Sequence, residues 1–225
     1  MLKFVSITAP AVLVWLCFVG YSAFGGFWMN PVVAEGDSEA FFAHAVEKLQ
    51  THNLGATSLV LIEDGVIANQ FHHGPKDNIN PETVFAAAAN APLSPEWVEA
   101  MRAPHGRSAG FDIWGLGTIL YAPTRSGDFI FGHDGANEPA INTAARLNPE
   151  NGDALIVLVS GHPSLASSIG SDWVFWQSGT PDLFSTDDVL ASMLPPGLAG
   201  TLVILIAAVL RRKRSRRTEV NPGVS

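Results

Sequence analysis

The sequence predicts an α+β fold: an antiparallel β-sheet flanked by an N-terminal and a C-terminal helix, with a membrane helix beyond each. Three observations carry this reading. Two stretches, Asp37–Gln50 and Pro163–Gly179, repeat apolar residues at helical spacing. Between them, β-rich apolar runs come in pairs joined by turn residues, and sequential hairpins build antiparallel sheets. Two long uncharged runs, Phe4–Met29 and Val189–Leu210, bracket the whole.

The N-terminal run follows Met1-Leu2-Lys3 and is compatible with two fates. It is either an uncleaved anchor or a signal peptide with small residues for cleavage near Val32-Val33-Ala34. Its length favours the anchor, since a helix needs about 20 apolar residues to cross the hydrocarbon core. The one cysteine, Cys17, lies inside this run, so the central segment holds no disulfide. "VWLCFVG" lacks the small residues that a lipid-modified cysteine needs around it.

Asp37 or Ser38 caps the first helix of the central segment, whose apolar face is Phe41, Phe42, Ala45, Val46 and Leu49. A hairpin follows, Thr57–Ile62 and Val66–Phe71 around the turn pair Asp64-Gly65. His72 and His73 are adjacent, so in a strand they face opposite ways and make a poor metal pair. Asn80-Pro81-Glu82-Thr83 opens a helical turn, and Ser94-Pro95-Glu96 starts a helix that ends by Pro104. Gly110–Pro123 reads as one glycine-bearing strand, paired with Gly127–Gly135. Ile141–Leu147 and Ala154–Ser160 form another hairpin through Pro149–Asp153. The closing helix is amphipathic through Leu165, Ile169, Trp173 and Trp176, and the two flanking helices should pack on one face of the sheet.

The C-terminal run, Val189–Leu210, contains Pro195-Pro196 and precedes the basic block Arg211–Arg217. Prolines suit a first turn, so the spanning helix is expected to start at or near them. The basic block marks a cytoplasmic tail. The expected division is thus 1–34 as anchor or signal peptide, 35–188 as an extracytoplasmic domain, 189–210 as a transmembrane helix and 211–225 as the tail. Of 13 basic residues, Lys3 and six in the block lie outside the central segment, and of 21 acidic residues only Glu219 does. The central segment therefore carries six basic residues against 20 acidic ones, a balance of −14. Such a surface repels phosphate, which excludes nucleic acid as a partner.

"GATSLVLIEDGVI", "INPETVFAAAAN", "GFDIWGLGTILY", "FIFGHDGAN", "NTAARLNPENGDALIVLVSG" and the Trp-rich helix occur in that order. Together they resemble the penicillin-recognising serine hydrolases, nearest to the class C β-lactamase and DD-peptidase-related group, over roughly residues 38–182. The resemblance implies that "FIFGHDG" is a substrate strand of the Lys/His-x-Gly type. His133 then meets the substrate carboxylate or assists proton transfer, with Asp134 beside it. Gly135 lets substrate lie against the backbone, and the N–H of Ala136 helps form an oxyanion hole.

The same resemblance implies a serine nucleophile one helical turn before a lysine, and the chain has none. Three residues before Lys48, Lys76 and Lys213 stand Ala45, His73 and Leu210. Tyr-x-Asn is also absent: Tyr21 heads Tyr-Ser-Ala and Tyr121 heads Tyr-Ala-Pro. Ser-x-Asn does not occur either. The helical region between the nucleophile helix and the late strands is missing, with the chain rejoined between about Phe85 and Leu93. Ser94, Ser108 and Ser126, with His105 or His133 and Asp112 or Asp134, are the residues from which a substitute triad could be drawn.

The sequence thus leads to the expectation of a membrane-anchored, catalytically defective family member with no cofactor and no metal. Its expected ligands are a peptidoglycan peptide or a β-lactam-like molecule. The alternatives are a non-catalytic peptidoglycan- or partner-binding module, and an active hydrolase with a rewired or partner-supplied nucleophile. Loss of the helical region is expected to leave apolar groups such as Trp114 and Phe131 under-covered, favouring a homodimer or a membrane-packed face.

Overall fold

The computed structural model describes residues 2–74, 94–108, 110–184 and 187–220. The chain divides into two compact units. One contains the two terminal helices and the other spans Asn30–Thr186.

The larger unit is α+β. Its sheet has eight strands: β1 Thr57–Glu63, β2 Val66–His73, β3 Gly106–Ser108, β4 Phe111–Trp114, β5 Ile119–Pro123, β6 Phe129–Asn137, β7 Ile141–Leu147 and β8 Ala154–Ser160. They lie in the order β2-β1-β8-β7-β6-β5-β4-β3, and every neighbouring pair is antiparallel. The first hairpin turns through Asp64 (φ 50°) and Gly65 (φ 74°), the two positive φ values that a tight hairpin of this hand requires. Its Gly65 N–H donates to Gly152 O at 3.1 Å, which ties this turn to the β7–β8 turn.

Two helices cover one face of the sheet, as the apolar spacing predicts. With the terminal helix that precedes them numbered α1 (Leu2–Phe24), they are α2 Ser38–His52 and α4 Leu165–Ser178. Between them in sequence lies α3, Pro95–Arg102. Asp37 caps α2 by accepting from Ala40 N–H at 2.9 Å. Phe41, Ala45 and Leu49 bury against Leu59, Leu61, Leu155, Val157 and Val159, together with Leu165, Ile169, Trp173 and Trp176 of α4. Phe41 stacks on Trp176 at 5.0 Å between ring centroids, and Lys48 Nζ meets Asp172 Oδ2 at 2.6 Å, tying α2 to α4. The other parity of β1 and β8, namely Val60, Ile62, Ala154 and Ile156, forms a smaller cluster with Ala145, Leu147 and Leu158. Both parities of β1 are therefore buried, which is why its sequence is an unbroken apolar run.

Three expectations need correction. Gly110–Pro123 is two strands, β4 and β5, because Gly115 and Gly117 (φ 70°) make a turn between them. A Cβ at Gly115 would overlap Met101 O, and Leu116 N–H donates to that same oxygen at 3.0 Å. A short strand, β3, follows α3 where the sequence showed no strand pattern. The last helix, α5 Asp187–Val220, starts eight residues before Pro195. Asp187 and Asp188 occupy its first turn, where carboxylates complement the exposed N–H groups, and the prolines sit inside the helix. The helical turn at Asn80–Thr83, the "INPETVFAAAAN" segment and the join at Phe85–Leu93 lie outside the described residues.

The smaller unit pairs α1 with α5. Both are long and apolar enough to cross a membrane, over Ile7–Phe24 and Asp187–Arg214. Their residues are mostly exposed, unlike those of a core helix in a soluble protein. These two helices point to membrane association.

Candidate functional site

The residues singled out in the sequence lie on β6. The strand runs two residues past the expected Gly135, to Asn137, and pairs with β7 from Phe131 on: His133 faces Ala145, Asp134 faces Ala144, Gly135 faces Thr143 and Ala136 faces Asn142. On its other side β5 reaches β6 only as far as Gly132, opposite Ile119. From His133 onward, no strand among the described residues pairs with that side. An open strand edge of this kind offers backbone donors and acceptors to an incoming chain.

His133 is exposed, and its Nδ1 lies 2.5 Å from Asp134 O. A carbonyl can only accept, so Nδ1 is the donor there, and Nε2 makes no hydrogen bond among the described residues. The neighbouring glycines have different reasons to be glycine. A Cβ at Gly132 would overlap the backbone oxygen of Ala145, so packing alone demands it. A Cβ at Gly135 would come 2.5 Å from Thr143 Oγ1, a side-chain atom that can rotate away. Packing therefore does not by itself dictate Gly135.

Asp134 points the other way, toward α4, as alternation on a strand requires. It forms a two-pronged pair with Arg146: Nη1 meets Oδ1, and Nη2 donates to Oδ2 at 3.1 Å. The Arg146 side chain is fully buried. Its Nη2 also lies 3.7 Å from Asp182 Oδ2, and Ser171 Oγ donates to that oxygen at 2.9 Å. The guanidinium stacks over Tyr121, 3.5 Å from the ring centroid, and Tyr121 Oη donates to Asp134 Oδ1 at 3.3 Å. Burial drives the Tyr121 hydroxyl well above its ordinary range, Arg146 opposing this and the two carboxylates adding to it. Gly170 of α4 leaves the room, since a Cβ there would lie 2.9–3.2 Å from the guanidinium atoms. Beside this cluster, Asn142 Nδ2 donates to Gly135 O and to Ser167 Oγ, both at 3.1 Å. The buried polar groups thus hold the His133–Ala136 stretch from the helix side and leave the other face outward.

Comparison with protein-family models, with curated proteins and with solved structures gives no match.

The serines from which a substitute triad could be drawn are dispersed. Ser94 precedes α3 and donates to Glu96 Oε2 at 2.9 Å. Ser126 Oγ is 3.0 Å from Thr124 Oγ1. Asp112 pairs with Arg107 at 2.6 Å, and His105 Nε2 lies 3.1 Å from Ala100 O. Among the described residues, none of Ser94, Ser108 and Ser126 hydrogen-bonds to His105 or His133.

Two constellations escaped the sequence reading. The first is the Arg146 cluster; its signal was an arginine at a core-facing position of β7, sharing parity with Asn142 and Ala144. The second is Ser58 and His72, directly opposite each other on β1 and β2. Ser58 Oγ and both ring nitrogens of His72 are buried without a hydrogen-bond partner. A cleft of about 510 Å³ lies among the β1–β2, β5–β6 and β7–β8 turns. Its walls include Glu35, Asp64, Arg125, Glu150 and Asp153. Hydrogen bonds from Ser126 lower the Glu150 carboxyl pKa there. Among the described residues, no group of three or more His, Cys, Asp or Glu side chains could hold a metal ion.

Proposed function

We propose that the chain is a membrane-anchored, catalytically defective relative of the serine β-lactamases and DD-peptidases. In this reading the sheet and its two helices persist, while the nucleophile and its base are gone. The observation that supports it most is β6: an exposed His133, then Gly135 and Ala136, on a stretch of strand open on one side. In enzymes of that kind such a strand receives substrate backbone, and the N–H after the glycine stabilises the developing oxyanion. Without Ser-x-x-Lys and Tyr-x-Asn there is no activated hydroxyl to use it, and losing the nucleophile alone removes most of the rate. The placement belongs to the same proposal: Arg211–Arg217 stays cytoplasmic, and the Asn30–Thr186 unit lies on the far side.

Labelling the full chain, purified from membranes, with a fluorescent penicillin tests this. Protein shown to be folded by circular dichroism should give no covalent band. A heat-sensitive band would establish an active nucleophile and end the reading.

A second reading is favoured by the same open edge. The unit binds a peptidoglycan stem peptide or a partner chain by strand addition, with no chemistry. It predicts saturable binding of a stem peptide that weakens when His133→Ala is introduced, and binding indifferent to that change counts against it.

A further inference from the structure

We propose that α1 is a retained half of an antiparallel membrane helix pair, seated on α5 through Trp15 and Gly200, and not a leader removed after export. The inference stands on the smaller unit and does not depend on the functional reading above. A leader needs only apolar length and a cleavage site. Nothing requires its side chains to complement a helix that lies far along the chain. Yet Trp15 and Pro196, 181 positions apart, are joined by a hydrogen bond from the indole Nε1–H to the carbonyl at 3.2 Å. In hydrocarbon an indole N–H has no water to turn to, so this bond fixes one face of α1 against α5.

The fit is steric as well as polar. A Cβ at Gly200 would overlap the Trp15 indole, so only glycine accepts the ring there. Further along, a Cβ at Gly197 would sit 3.7 Å from Leu16 Cδ2, and one at Gly20 would sit 3.5 Å from Met193 Cε. Rising positions on α1 meet falling positions on α5, so the pair is antiparallel. Small residues that let helices approach closely are the usual basis of packing in lipid, where apolar surface alone gives no drive. The antiparallel pairing brings Lys3 and Arg211–Arg217 to the same side. At the other end of α1, Trp28 Nε1 donates to Ser22 Oγ at 2.8 Å and its ring packs edge-on against Phe18 and Phe27; tryptophan is the residue of this group that is enriched at membrane interfaces.

The candidate cleavage site adds a second observation. Val33 packs against the main core of the sheet unit, and Ala34 O accepts from Trp176 Nε1 at 2.9 Å. Cleavage after Ala34 would remove a side chain packed against the core and strip the carbonyl from the indole of the buried Trp176.

The full chain, tagged at its C-terminal tail and extracted from membranes, gives the first readout: its intact mass should include the α1 residues. A mature N-terminus near Ala34 overturns the proposal. The second readout is disulfide formation in membranes by a Leu16→Cys/Gly197→Cys variant made in a Cys17→Ala background. It should form an intrachain bond on oxidation, and a control with cysteines at the exposed positions Leu13 and Leu198 should not. Adding Gly200→Leu should cut the yield about tenfold, the scale of one steric misfit in a packed interface. Equal yields in test and control, or a yield indifferent to Gly200→Leu, would show that the helices do not pack as stated.

Discussion

The two faces of β6 are made of different chemistry. Toward α4 the strand presents Asp134 to a fully buried arginine, a second carboxylate and a tyrosine. Toward the other side it presents His133, exposed and bonded only to a backbone carbonyl. The first face is over-determined: each group fixes the position of the next. The second is barely constrained, so almost any side chain could stand there without disturbing the fold. A histidine on an unconstrained position is a choice that folding did not force, whereas Asp134 is one that the buried arginine did. The stability of the unit should therefore depend on the first face and any binding on the second.

The largest effect is expected at Arg146. Removing one partner of a buried pair leaves the other charges unpaired, which costs about 3–5 kcal/mol. Arg146→Ala strands Asp134 and, in part, Asp182, so it should lower the thermal midpoint of the detergent-solubilised chain steeply, read by tryptophan fluorescence. A midpoint within a degree or two of the parent would mean that the cluster is solvated and the contrast between the faces is false. Gly170→Ala should come next, at about 1–3 kcal/mol, because its methyl presses on the guanidinium. The two changes share one cause. In a double variant with Arg146→Met the cost of the added methyl should shrink, a coupling that a thermodynamic cycle would reveal.

Much of the scaffold around these faces was legible in the sequence. Pro149–Asp153 punctuated the β7–β8 hairpin and Asp64-Gly65 the β1–β2 hairpin, because those residues adopt turn geometries that others resist. The α2 and α4 faces followed from apolar spacing. The start of α5 lies before the prolines because Asp187 and Asp188 complement the exposed N–H groups of a first turn, a signal that the fitness of proline for the same place obscures in the sequence. The β4–β5 break was hidden because the glycines at 115 and 117 read equally as strand irregularities. His133, Gly135 and Ala136 could be picked out as a pattern. Their open edge could not, since it depends on where β5 begins relative to β6. Arg146 was visible as a charge at a core-facing position, but its partners lie across the sheet and beyond α4, where local pattern carries no information.

Alkaline pH probes the buried face by a separate route. The Tyr121 hydroxyl in the folded chain is raised above its ordinary value of 10.0. The unfolded chain therefore gives up this proton first as pH climbs, so at high pH the folded state binds more protons. Stability from this group is complete below pH 10 and declines as pH rises beyond it. Tyr121→Phe should flatten the decline in denaturant midpoint above pH 10 and leave neutral-pH stability lower by about 1 kcal/mol, through loss of the bond to Asp134. An unchanged alkaline slope would place the tyrosine in contact with water.

Ser58 offers a smaller effect of the opposite sign. Its hydroxyl is buried without a partner opposite His72, a cost that the folded state carries for no visible structural return. Ser58→Ala should be neutral or stabilising by about 1 kcal/mol, because a buried group lacking a hydrogen bond is worse than none. A destabilisation would mean that the hydroxyl is satisfied by water, and that the pair is a hydrated polar site inside the sheet.

The smallest effect on stability is expected at His133, and there the contrast between the faces is decided. An exposed side chain bonded only to its neighbour's carbonyl should cost less than about 0.5 kcal/mol on replacement by alanine. His133→Ala should thus unfold with the parent, while capture of a stem peptide, if the strand retains it, should fall. A variant that loses stability and binding together would make His133 another structural residue, and the open face would then carry no more functional weight than the buried one. A variant that loses binding alone would localise recognition to the side of β6 that folding leaves free.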